Sequence, residues 1–531
     1  MKTRVQVRSR RRILCVSPRY APSFGTFQYA YELTDGVRAF MPPQGILLIA
    51  AYLPAMWEVR VVDENIAAAT DADFAWADAV FVSGMHVQKA EIAGVALRAR
   101  QAGKASVLGG PSVSACPEDY PQFDYLHLGE LGDATDTLIE ILDDDPSPLP
   151  AQRRLQTNER LPLRDFPIPA YERMQGRRYF LGNIQFSSGC PYQCEFCDIP
   201  GLYGRQPRLK DPVQITAELD AMLAAGISGA VYFVDDNFIG NKKAARQLLP
   251  HLIAWQKLRA YPLQFSCEAT LNIATCPDIL AMMREACFYA VFCGIETPEL
   301  GALDAMRKSH NRVMPLLDAV NTINSFGIEV VSGIILGLDT DTAATAANLI
   351  DFIDRSRIPL LTINLLQALP KTPLWDRLAA AGRLNHDPER ESNVVFLRSY
   401  RDVLDSWQEA IGHAYTPEAI FERLHWNLRH TYVHRFDPPV TRARLNAANL
   451  RRAAVILGKL FVKVGLFSGY RRQFWRFAAE SLRAGRVGDF IAVCLVAHHL
   501  IRFARDCTEG RQNASFYADR AKLPAAREVA A

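Results

Sequence analysis

The chain has 531 residues, more than one hydrophobic core usually fills, so two to four domains are expected. Hydrophobic residues at 49% and charged residues at 22% exclude a mostly disordered chain, and a formal charge of +3 gives no global field that would point to nucleic acid. Eleven cysteines, an odd number at irregular spacing, exclude a secreted disulfide framework.

The basic run at 8–12 is followed by too short an apolar stretch to be a secretory signal. The apolar run at 490–500, interrupted by His498 and His499, is too short to span a bilayer. A cytoplasmic enzyme is the expectation.

Residues 12–145 alternate short β-rich runs (13–17, 59–62, 79–83, 106–108) with helical stretches at 46–53 and 90–102. This spacing predicts a doubly wound parallel sheet, an α/β domain whose ligands sit at the carboxyl ends of the strands. Prolines at 146, 148, 150, 162, 167 and 169 mark a linker over 146–170. Beyond it the alternation resumes at a longer period. Strands are expected at 183–187, 230–234, 263–268, 290–295, 329–336 and 361–367, with helices such as 215–225, 242–256 and 342–354 between them. Six such units predict a (β/α)6 partial barrel over 171–395. Residues 396–531 read as a helical extension with a flexible tail.

Cys190-Pro191-Tyr192-Gln193-Cys194-Glu195-Phe196-Cys197 places three thiols within eight residues, just after the first barrel strand. Three thiolates at this spacing can hold three irons of a 4Fe-4S cluster and leave the fourth open to a ligand. Zinc would need a fourth ligand, and no histidine lies between Cys190 and His251, although another loop could supply one. The eight remaining cysteines read as small buried hydrophobes.

The cysteine spacing, with Phe196 before the last thiol, resembles the signature of the radical S-adenosylmethionine (SAM) superfamily. The resemblance continues through Val234-Asp235-Asp236-Asn237-Phe238, Cys267-Glu268-Ala269-Thr270, Gly294-Ile295-Glu296-Thr297, Gly333-Ile334-Ile335-Leu336-Gly337 and Leu369-Pro370-Lys371-Thr372-Pro373, each at the end of an expected strand. It implies that Cys190, Cys194 and Cys197 carry the cluster, and that Phe196, Asp235, Asp236, Glu268, Glu296, Gly333 and Gly337 surround SAM.

Pro42-Pro43-Gln44-Gly45, Val62-Asp63-Glu64-Asn65, Gly109-Gly110-Pro111-Ser112 and Gly129-Glu130 resemble the cobalamin-binding domain of the cobalamin-dependent radical SAM enzymes. That likeness implies residues 1–145 as a Rossmann-like cobalamin domain, with Ser17, Ser83, Gly109, Gly110 and Glu130 among its contacts. The Asp-x-His-x-x-Gly motif that supplies an axial histidine elsewhere is absent. His86, at a strand end, reads as an ordinary hydrogen-bonding loop residue, with cobalt ligation as the alternative.

Between 441 and 506 thirteen Arg or Lys face three Asp or Glu, interleaved with apolar residues. Such helices suit a peripheral contact with the inner face of an anionic membrane, and equally a solvated basic face over a helical core. No nucleic-acid motif is present. The three-part layout, with Ser17-Pro18-Arg19-Tyr20-Ala21-Pro22 and Asp198-Ile199-Pro200-Gly201-Leu202-Tyr203, is similar to that of the hopanoid C-2 methylases. The resemblance implies hydrogen abstraction from the A ring of a hopanoid and methyl transfer from methylcobalamin, two SAM per turnover, and a flavodoxin- or ferredoxin-type electron donor. Oxidative cyclisation or rearrangement of another lipid or tetrapyrrole, and a non-catalytic cobalamin or redox sensor at the membrane, are the alternatives.

Overall fold

The computed structural model describes residues 5–387, 390–439 and 446–512. The first domain is a six-stranded sheet built from β1 (Arg12–Ser17), β2 (Glu58–Asp63), β3 (Ala79–Ser83), β4 (Ala105–Gly109), β5 (Tyr125–Leu128) and β6 (Arg153–Gln156). The strands run in the order β2-β1-β3-β4-β5-β6, every pairing parallel. Unbroken buried runs such as Ile13 to Val16 and Ala79 to Val82 are what helices on both faces of a parallel sheet require. Strand order reverses between β1 and β3, which opens a crevice above Ser17 and Ser83.

One strand lies inside the stretch expected to be a linker. Only Leu155 of the four residues in β6 is buried. An edge strand with one inward side chain leaves no apolar run in the sequence, and the prolines around it signal a loop instead. The first domain therefore runs past residue 145 to its edge strand.

The barrel sheet contains β7 (Gly182–Ile184), β8 (Gly229–Phe233), β9 (Leu263–Glu268), β10 (Phe288–Glu296), β11 (Glu329–Leu336) and β12 (Leu360–Leu365), in strict chain order and all parallel. The expected partial barrel is present. Its first strand is shorter than expected, because Ser187–Ser188 leaves the sheet to pair with Arg208–Leu209.

Among the described residues five α-helices follow: α1 (Tyr400–Ala414), α2 (Pro417–His430), α3 (Ala447–Lys459), α4 (Arg471–Arg483) and α5 (Val487–Thr508). Among the described residues α5 alone is long and apolar enough to cross a membrane by length and composition. The run at 490–500 was too short by itself, but Ile501, Phe503 and Ala504 extend it. Those side chains are buried in the protein. On one side α5 grips the loop after β1, where His499 Nε2 lies 3.0 Å from the Ser23 carbonyl and Phe503 meets Phe24 edge-on at 4.7 Å. On the other side α1 is pinned to the last barrel strand by Trp407 Nε1 donating to Ile363 O at 2.9 Å. The expected flexible tail lies outside the described residues.

Candidate active site

The cysteine loop leaves the barrel after β7 and is braced by the two aspartates that end the strand beside it. Asp235 is fully enclosed and accepts from Phe186 N (2.7 Å), Ser187 N (3.0 Å) and Ser187 Oγ (2.8 Å). Asp236 accepts from Gly189 N at 2.7 Å. Burial raises these carboxyl groups to about 7 and about 6, against the pull of those hydrogen bonds. Both aspartates hold the loop's backbone. Gly189 has φ +100°, and a Cβ there would stand 2.9 Å from the Gly204 carbonyl. Glycine is required at this turn.

Cys190, Cys194 and Cys197 are half-buried, whereas the other eight cysteines are buried, as their isolated positions led us to expect. Burial pushes all three thiols upward, so only a bound cation would make them thiolates at neutral pH. Among the described residues no three His, Cys, Asp or Glu side chains converge on a single-ion position. A cluster spreads its thiolates over separate irons and needs only the three cysteines of this loop. The donor set fits the cluster.

The SAM candidates ring the mouth of the barrel. Gly294 and Gly333 are register partners on β10 and β11. A Cβ on Gly294 would come within 2.4 Å of Glu296 Oε1, and one on Gly333 within 3.3 Å of the Phe292 ring. The register slips between Gly294 and Glu296, and Glu296 takes φ +68°. This bulge re-aims its carboxylate inward. Glu296 pairs with Lys308 at 2.6 Å, both nearly buried. The Lys308 ammonium also lies 5.4 Å over the Phe196 ring, beside the cysteine loop. Gly337, at φ +93°, gives its N–H to Asp341 at 2.7 Å. Glu268 ends β9 and is raised to about 7, first by burial and then by Asp236.

Sequence reasoning missed Lys308. It also missed Tyr192, which stacks on His310 with ring centroids 3.8 Å apart and accepts from Asn272 Nδ2 at 2.7 Å. A lysine and a histidine on a loop after a strand carry no spacing signal, because their partners are far away in the chain.

In the first domain Ser17 and Ser83 end the two strands that flank the crevice. A Cβ on Gly110 (φ +100°) would stand 2.7 Å from Ser83 Oγ, and one on Gly45 3.3 Å from the same oxygen. Gly109 is the register partner of Ser83. Three loops thus meet around Ser83, with glycine at the two positions where a side chain would crowd its hydroxyl. His86 Nδ1 is 3.1 Å from Ser112 Oγ, and its Nε2 is buried without a hydrogen-bond partner among the described residues. Glu130 joins the first domain to the barrel, pairing with Arg208 at 2.6 Å and Arg160 at 3.3 Å.

A cavity of about 830 Å³ fills the barrel below this ring. Tyr232, Glu268, Phe292, Val331 and Thr362 face it from five strands, and α3 and α5 close its side. Phe27, Phe40 and Met41 border it from the segment between β1 and β2. The space therefore touches both α/β domains.

A three-cysteine loop at the mouth of a six-stranded parallel barrel, preceded by a doubly wound domain, defines a radical SAM enzyme of the cobalamin-dependent architecture. The radical SAM superfamily model matches residues 184–353, and a domain family of unknown function matches residues 372–513. A hopanoid C-2 methylase of Rhodopseudomonas palustris is 58% identical over 96% of this chain and 97% of its own length. An uncharacterized methyltransferase of Synechocystis is 32% identical over 93% and 92%. The chain belongs to the hopanoid C-2 methylase family. Among solved structures, the cobalamin-dependent SAM radical enzyme OxsB aligns over 94% of this chain and 81% of its own (TM-score 0.57, 14% identity). The radical SAM methyltransferase TsrM of Kitasatospora setae aligns over 90% and 100% (TM-score 0.54, 15% identity). These two share the fold.

Proposed function

We propose that this chain methylates C-2 of the A ring of a hopanoid, with a 4Fe-4S cluster, SAM and cobalamin as its cofactors. When bound, these groups supply a SAM-derived radical able to take hydrogen from an unactivated carbon and a methyl group carried on cobalt. The protein holds and separates them. Cys190, Cys194 and Cys197 ligate the cluster on a loop that Asp235 and Asp236 keep in place. Glu268, Glu296, Gly333 and Gly337 form the rim on which SAM lies, with Lys308 anchoring Glu296 and covering Phe196. Ser17, Ser83, Gly109 and Gly110 form the cobalamin cradle, and Glu130 ties that domain to the barrel through Arg208.

The observation that carries this reading is the cavity. At about 830 Å³ it lies within the about 300–1,000 Å³ typical of small-molecule sites. Its walls are largely aliphatic and aromatic, and it touches both domains. A rigid polycyclic hydrocarbon suits it better than a charged metabolite would. Electrons come from a flavodoxin- or ferredoxin-type donor. The enzyme works in the cytoplasm, with peripheral contact to the inner membrane through its C-terminal helices.

Deleting the gene in its host and weighing the extracted lipids tests the reading. Loss of a 2-methylated hopanoid, restored by the intact chain and not by Cys194→Ala, is expected. An unchanged hopanoid profile in cells that make methylated hopanoids would overturn the substrate. A product lighter by hydrogens instead of heavier by a methylene would favour cyclisation.

A further inference from the structure

The loop between α3 and α4 and the outer face of α4 do not contribute to the barrel. Leu466 and Phe467 at the loop's tip are 59% and 79% exposed, and Trp475 and Leu482 on α4 are 42% and 45% exposed. Residues seven apart share a helix face, so the Trp475–Leu482 line continues along α4 from the tip. Arg472, Arg476 and Arg483 run beside it at spacings of four and seven. These three and Arg471 are exposed and enter no ion pair among the described residues. Trp475 stacks on Phe461 at 5.2 Å and donates to Gly465 O at 2.9 Å, so the apolar tip is held rigidly outward.

Behind the tip lies a second cavity of about 660 Å³, bordered by Thr416, Lys463, Phe467, Tyr470, Arg502 and Arg505. Glu32 also borders it and pairs with Lys463 at 2.9 Å and Arg502 at 2.7 Å. One carboxylate faces three cations, leaving the pocket net positive. Large apolar side chains clustered in water are uncommon on a monomer's surface. Here they are flanked by free arginines, the pattern of an element seated among anionic headgroups.

We propose that loop 465–470 and the outer face of α4 form a docking edge for an anionic phospholipid bilayer, and that the basic pocket behind Phe467 takes a lipid phosphate. The inference rests on the membrane contact proposed above and not on which lipid is methylated. The tip enters the interface, the arginines pair with phosphates, and the barrel cavity is held near the membrane that dissolves its substrate.

The test is co-sedimentation of the full chain, with its cluster reconstituted, on vesicles of phosphatidylglycerol and phosphatidylcholine or of phosphatidylcholine alone. Binding is expected on the anionic vesicles and should weaken as salt is raised. Each arginine at an anionic surface is worth about fivefold in partitioning, so Arg471→Gln with Arg472→Gln should weaken binding about 25-fold. Leu466→Ser with Phe467→Ser should weaken it by at least about tenfold. Arg505→Gln should lower the preference for anionic over neutral vesicles. All variants should keep iron content and methylation of detergent-dissolved hopanoid, which separates failed docking from a wrong substrate. Equal binding to both vesicle types, no binding to either, or binding untouched by the tip and arginine changes would overturn the proposal.

Discussion

Arg435 sits at the closed end of the barrel and joins the C-terminal extension to the sheet. Its guanidinium pairs with Asp489 of α5, lies 3.8 Å from Glu329 of β11, and donates to the carbonyls of Gly327 (3.2 Å) and Tyr289 (3.1 Å). The three charged side chains are 12% exposed or less. Arg435→Met keeps the apolar stem but strands Glu329 without a cation. Asp489 retains Arg486 at 3.9 Å, which puts the loss at the lower end of the about 3–5 kcal/mol expected for breaking a buried ion pair.

The loss also depends on pH. Burial pushes Glu329 upward while Arg435 pulls it down, so removing the arginine raises it further. A carboxyl whose folded value exceeds its unfolded value stabilises the fold fully below the unfolded value and loses that contribution as pH rises through the folded one. The variant should therefore come nearest the parent in acid. Guanidinium unfolding should show a deficit of about 3 kcal/mol near pH 8, smaller by at least about 1 kcal/mol near pH 5.5. A deficit under about 1 kcal/mol near pH 8, or one indifferent to pH, would refute the reasoning.

Other outcomes follow from the same geometry. Cys194→Ala should lose most of its iron and all SAM cleavage, whereas Cys293→Ala, a buried cysteine on β10, should keep its iron; metal and sulfide analysis distinguishes them. Gly337→Ala forces a side chain into φ +93° with its Cβ 2.4 Å from the Phe396 ring. It should cost at least about 2 kcal/mol by thermal unfolding, and Phe396→Ala in the same chain should recover only the steric share. Ser83→Leu would drive a bulky side chain against Gly45 and Gly110 at the strand ends, where cobalamin is proposed to lie. It should lower bound cobalamin at least about tenfold without lowering iron, as read from the absorbance of the reconstituted protein.

The barrel was legible because each of its strands carries a local signature. β9 and β11 match their expected spans, since the alternating apolar residues of β9 end at Glu268 and the β-branched run of β11 ends at Gly337. β6 was not legible, because an edge strand with one buried side chain looks like the proline-rich loop around it. The cysteine loop was plain, being a contact within eight residues. Asp235 and Asp236 stood out in the sequence as candidates around SAM, and the fold adds that both accept hydrogen bonds from the cysteine loop's backbone. Glu130 likewise stood out in the sequence, yet its partners Arg160 and Arg208 come from the linker and the second domain.

The sequence by itself determined the two α/β sheets, the three-cysteine loop and the family of chemistry, because these rest on strand periodicity and on residues adjacent in the chain. Tertiary structure decided which polar groups are spent on scaffolding and which face the reaction, through burial and partners up to hundreds of residues apart. It alone placed Lys308 beside Phe196 and Glu296. It alone turned α5, an apolar run long enough to span a bilayer, into a wall of the cavity. Whether an apolar helix meets lipid or protein depends on what packs against it, and that is a property of the whole chain.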